Sequence, residues 1–127
     1  MAKIVLSRTI SNNRLLDVTC KNGYPLQYYT REAKEYIDIT RKELKRQWRK
    51  EPLKCRLKIS IEWHKRFVNK SNENDKRIDI DNPLKGLLNV MSGIVFEDDS
   101  QIWELKIKKI NVKNDTEKVV VRIREKK

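Results

Sequence analysis

Leu53-Lys54-Cys55-Arg56-Leu57-Lys58-Ile59-Ser60-Ile61-Glu62-Trp63 alternates apolar and polar side chains without a break. Successive side chains of a strand point to opposite faces. This spacing therefore predicts a β-strand over 53–63, buried on the Leu53–Trp63 side and mostly cationic on the other. A second alternation sets Trp103, Leu105 and Ile107 against Glu104, Lys106 and Lys108, and a third sets Val119, Val121 and Ile123 against Arg122 and Arg124. With Asn114-Asp115 as a turn, these two strands are expected to pair as an antiparallel hairpin. Residues 3–10 are a weaker strand candidate. Residues 11–29 read as irregular, with turn signals at Asn12-Asn13 and Asn22-Gly23-Tyr24-Pro25.

Two helices are predicted between the strands. The first covers residues 31–49: Thr30 can cap it, Ala33, Ile37, Thr40, Leu44 and Trp48 form one stripe, and Glu51-Pro52 ends it. Its other side carries Lys42, Lys45, Arg46 and Arg49, which serve either solvation or contact with a polyanion. The second is short, with Asn82 as cap, Pro83 at the first helical position, Leu84, Leu87, Leu88 and Met91 on one stripe, and Gly93 past its end. Gly86 inside it costs about 1 kcal/mol relative to Ala and predicts a close approach by another part of the chain. The expected architecture is α+β: one domain over 1–127, a mixed sheet with both helices packed against it.

Composition narrows the partners. A net charge of +12 with 38% charged residues favours a polyanion, because clustered Lys and Arg neutralise phosphates and release condensed counterions. No apolar run exceeds three residues, which argues against a membrane span, and the N-terminus lacks a signal-peptide core. Cys20 and Cys55 form no CxxC pair, so a reducing, cytoplasmic setting is expected, with neither disulfide nor zinc.

Against this basic background, residues 71–104 hold eight acidic side chains and three basic ones. In Arg77-Ile78-Asp79-Ile80-Asp81 an extended backbone would bury Ile78 and Ile80 and point both carboxylates to one side, with Cα atoms about 6.5 Å apart. Such a pair suits hard divalent cations, whose preferred ligands are anionic oxygens. Lys85 would follow about one turn into the helix, and Glu97-Asp98-Asp99 enters the next strand where it can add a further carboxylate. Metal-assisted phosphodiester hydrolysis needs these parts: a cation to activate water and a positive side chain for transition-state charge. The plainer alternative is a turn and a helix cap with Lys85 on the surface. Lys65, Arg66, Lys70, Lys76 and Arg77 flank the acidic island and are candidate phosphate-binding residues. His64 reads as structural, Trp48, Trp63 and Trp103 as core, and Tyr24, Tyr28 and Tyr29 as candidate aromatic contacts.

Asp79-Ile80-Asp81-Asn82-x-x-Lys85, a Leu-rich helix, and Gly93-Ile94-Val95-Phe96-Glu97-Asp98-Asp99-Ser100-Gln101-Ile102 together closely resemble the RusA family of Holliday-junction resolvases of bacteria and their phages. The match is strong over residues 77–105. The resemblance implies a magnesium-dependent endonuclease without a small-molecule cofactor, acting as a homodimer on branched, four-way DNA and nicking opposed strands in recombination and repair. Asp79, Asp81 and Asp99 match the family's catalytic, metal-holding carboxylates, Lys85 its lysine, and Asp98 a supporting acid. Asn89 stands where many members carry Asp. On the residues alone, a non-catalytic nucleic-acid-binding protein and a nuclease for flaps or forks remain open.

Overall fold

The computed structural model describes residues 2–68 and 78–127, with Lys21 by its backbone alone. Strands β1 (Ala2–Leu6), β4 (Leu57–Lys65), β5 (Ile102–Asn111) and β6 (Lys118–Glu125) form a mixed sheet in the order β1-β6-β4-β5. Strands β2 (Leu16–Lys21) and β3 (Tyr24–Tyr29) form a separate two-stranded sheet. Helix α1 spans Arg31–Gln47 and α2 spans Leu84–Met91, so the architecture is α+β as expected.

The alternation in β4 does what its spacing requires. Ile59, Ile61 and Trp63 are buried together with Ile4, Leu6, Val119, Val121 and Ile123 of the neighbouring strands. Ala33, Tyr36 and Leu44 of α1 and Leu87, Val90 and Met91 of α2 complete the same core, leaving the opposite sheet face to mostly polar side chains, with Val5 and Val120 the apolar pair on it. The strand starts later than its pattern suggests. Leu53 instead forms an isolated bridge to Phe96, with its N–H on the Val95 carbonyl at 2.8 Å.

The expected β5–β6 hairpin does not form. β5 pairs with β4 in parallel, β6 pairs with β4 antiparallel, and β4 lies between them. Residues 112–117 cross the end of β4, where the Val112 N–H donates to the Lys65 carbonyl (3.1 Å) and Arg66 meets Asp115 (2.8 Å). The burial explains the choice. Val119, Val120 and Val121 are all buried, which suits an inner strand, whereas β5 takes the edge and leaves Trp103 58% exposed beneath the Arg56 guanidinium. Trp103 therefore departs from the core role expected of it. Parallel pairing of β4 and β5 requires a crossover, and α2 lies within it.

Residues 16–29 also differ from the irregular segment expected. They form the β2–β3 hairpin, turned by Asn22 (φ 54°) and Gly23 (φ 81°), the left-handed pair that a tight hairpin needs.

Thr30 caps α1 as its position predicts, accepting from the Ala33 N–H at 3.0 Å. At Gly86 the expected close approach is present, made by side chains: a Cβ there would stand 2.6 Å from Ile10 Cγ2 and 3.4 Å from Tyr36 Cε1. Gly86→Ala should therefore destabilise the protein despite its better helix propensity. The overpacking cost is about 1–3 kcal/mol and Ile10 is stiff at χ1, while the propensity gain is about 1 kcal/mol at most. A lowered midpoint in thermal or urea unfolding checks this.

Candidate active site

The segment bearing Asp79 and Asp81 is a turn and not a strand. The Asn82 N–H donates to the Asp79 carbonyl and the Leu84 N–H to the Asp81 carbonyl, each at 3.0 Å. The even spacing of the two carboxylates on an extended backbone is therefore lost. Ile80 is 43% exposed instead of buried, while Ile78 stays partly buried, with its carbonyl accepting from Lys109 Nζ. Pro83, not Asn82, occupies the cap position of α2, and it offers no side-chain oxygen to the helix.

The cap comes from elsewhere in the chain. Asn12, in a short 3-10 turn over Asn12–Arg14, accepts from the Lys85 N–H through Oδ1 (3.3 Å) and donates from Nδ2 to the Asp81 carbonyl (3.2 Å). Its own N–H reaches the Asn82 carbonyl (2.9 Å), and Ser11 Oγ donates to Asn82 Oδ1 (3.0 Å). Ser11 and Asn12 thus grip the turn from which Asp81 and Lys85 project. No local signal in the sequence pairs residue 12 with residue 85.

Asp99 is placed by a second device. Asp98 caps the 3-10 turn Asp99–Gln101, its carboxylate accepting from the Ser100 N–H, and Gln101 Oε1 accepts from the Asp98 N–H at 2.8 Å. Gln101 Nε2 then donates to the carbonyls of Leu53 (2.8 Å) and Cys55 (2.9 Å). Asp98-x-x-Gln101 is a capping box, a pattern readable from sequence, although neither its partner segment nor the role of Gln101 is.

The outcome is a cleft of about 260 Å³ along α2, lined by Asn12, Asp81, Leu84, Lys85, Leu88, Asn89 and Asp99. It unites three of the predicted site residues: Asp81, Lys85 and Asp99. Asp79 and Asp98 do not line it, and Asp98 spends its carboxylate on the cap. Among the described residues no three His, Cys, Asp or Glu side chains stand close enough to enclose a metal ion. The cleft's polar lining is nonetheless all hard oxygen apart from Lys85 and the amide nitrogens. Magnesium is commonly held by one or two carboxylates with water and substrate phosphate completing its shell, so the donor set fits it.

Of the candidate phosphate-binding residues, Lys65 pairs with Glu117 (3.5 Å) and Arg66 with Asp115 (2.8 Å). Lys70, Lys76 and Arg77 lie outside the described residues. His64 sits beside Glu62 (3.7 Å) on the polar sheet face, away from the cleft. Tyr24, Tyr28 and Tyr29 are exposed on β3. No helix among the described residues is long and apolar enough to cross a membrane.

Two predictions concern this scaffold. Asn12→Ala should cost about 1 kcal/mol in unfolding free energy, the ordinary loss for a removed helix cap, as read by urea denaturation. The Ser100 hydroxyl and N–H hold the Asp98 carboxyl below its usual range. Its stabilising effect is thus present above the unfolded-state pKa and is lost as pH falls through the lowered folded value. Carbon-detected NMR titration should give Asp98 a midpoint below that of a free aspartate, and Ser100→Ala should raise it.

No curated protein matches the chain. The family profile described as Endodeoxyribonuclease RusA matches residues 11–124, a span that takes in the 3-10 turn of Asn12, both helices, the cleft and nearly all of β6. With Asp81, Lys85 and Asp99 gathered where the D-x-D-N and D-D motifs lead, the chain belongs to the RusA endodeoxyribonuclease family.

Proposed function

We propose that this protein is a magnesium-dependent, structure-specific endodeoxyribonuclease of the cytoplasm that resolves four-way DNA junctions in recombination and repair. The observation that carries the reading is the meeting of Asp81, Lys85 and Asp99 in one cleft, although a helix and a loop separate them in sequence. Family membership supplies the reaction class.

Asp81 and Asp99, aided by Asp79 from the adjoining turn, would hold the cation. When bound, magnesium neutralises phosphate charge and lowers the pKa of a coordinated water. Lys85 supplies fixed positive charge for the transition state, and Asn12 keeps its backbone in place, so little reorganisation is needed during reaction. The net charge of +12 draws in the branched polyanion. Assembly as a two-fold homodimer would present two such clefts to the approximate two-fold symmetry of a junction and give paired nicks.

The test compares cleavage of a four-way junction, a fork and a linear duplex, with Mg²⁺ present or chelated. The junction should be cut in preference to the others, and only with the metal. Asp81→Asn should bind but not cut, and Lys85→Ala should lose about 10²–10³-fold in rate, the usual loss for one transition-state contact. Cleavage by Asp81→Asn at the wild-type rate defeats the proposal in favour of a protein that only binds DNA. Preference for forks keeps the chemistry and changes the substrate.

A further inference from the structure

A second groove, of about 350 Å³, runs between α1 and α2 and shares Asn89 with the cleft. Lys34 and Arg41 of α1 line it, together with Tyr29 at the end of β3. All three are exposed, and among the described residues neither Lys34 nor Arg41 has an ionic partner. Asp38, the acid in the groove, is paired with Lys42 at 3.3 Å, so its charge is largely offset.

We propose that this groove is a DNA-strand subsite: it carries the phosphodiester backbone of the cut strand as it leaves the cleft, with Lys34 and Arg41 on phosphates about three nucleotides apart and Tyr29 offering a stacking face. The proposal rests on the cleft being the cutting site. Three features favour this occupant. Continuity through Asn89 gives the strand an unbroken path, and the uncharged Asn89 amide does not repel it where the two depressions meet. Lys34 and Arg41 lie seven residues apart on one helix, about 10.5 Å along its axis, which matches about three nucleotide steps of 3.4 Å. Two unpaired cations beside an aromatic ring match the chemistry of strand-tracking grooves, where backbone charge and base stacking are read without regard to sequence.

Binding of a four-way junction with the metal chelated, measured across a salt series, tests the subsite separately from catalysis. Lys34→Ala/Arg41→Ala should reduce the slope of log affinity against log salt by about 1.4–1.8, the release expected for two phosphate contacts. Lys34→Arg/Arg41→Lys should restore the slope. Neutral methylphosphonates placed within four nucleotides of the cut should weaken the wild type several-fold and leave the double alanine variant indifferent. Lys106→Ala/Lys108→Ala, on β5, removes the same charge and should keep the methylphosphonate effect. An unchanged slope in the double alanine variant overturns the subsite, as does a methylphosphonate loss equal in the variant and the wild type. An altered oligomeric state with an unchanged slope also overturns it, in favour of a protein contact. A wild type that shows the groove effects but never cuts with Mg²⁺ sinks the nuclease reading and leaves the groove's affinity for DNA standing.

Discussion

The hydrogen bonds from Asn12 to the turn that opens α2 are the constraint on which the arrangement of the cleft depends. A helix of eight residues has little stability of its own, and Pro83 at its cap position offers no side-chain acceptor, so of the first N–H groups only that of Leu84 finds a local partner, the Asp81 carbonyl, before Asn12 takes the Lys85 N–H. The N-terminal segment supplies what the helix lacks, and in doing so fixes the orientation of Asp81 and Lys85. Gly86 makes the approach possible, since the space a Cβ would need is taken by Ile10 and Tyr36. Helix, turn and acidic segment therefore dock as a unit or not at all.

A parallel logic governs Asp99. Its turn is short and could not hold a carboxylate in place unaided, so Gln101 reaches across to two carbonyls of the chain entering β4. Residues 53–55, which by pattern alone extend the central strand, are diverted to this task. Among the described residues the acids of the cleft pair with no cation, and their segments are held by backbone contacts. That leaves their oxygens and the Lys85 ammonium available, and among the described residues Lys85 forms no ion pair.

Much of this was legible in the sequence, and the limits have physical causes. The inner face of β4, the cap and stripe of α1, and the presence of α2 follow from periodicity, which reports which side of an element is buried. Periodicity does not report which strand lies beside which. The order β1-β6-β4-β5 could have been suspected only from the uninterrupted Val119-Val120-Val121 run, the mark of a strand buried on both faces. The β2–β3 hairpin had its signal in Asn22-Gly23 and in the alternation of Leu16, Val18 and Cys20 with Asp17, Thr19 and Lys21, but β3 is exposed throughout, so the pattern marks no buried face and its turn residues read as irregular chain. Asp81, Lys85 and Asp99 were readable as a set from their motifs. The supports of that set, Asn12 and Gln101, act over long sequence distances and left no periodic trace.

One feature of the sheet bears on how the molecule behaves in a crowded solution. β5 is a ten-residue edge whose outward hydrogen-bonding groups have no neighbouring strand among the described residues, a ready template for another chain. Lys106, Lys108 and Lys109 set three like charges along it, so a second copy arriving in register would meet its own lysines at strand spacing. Stacking into fibrils is disfavoured along that rim, and the bare margin stays available without the sheet growing beyond four strands.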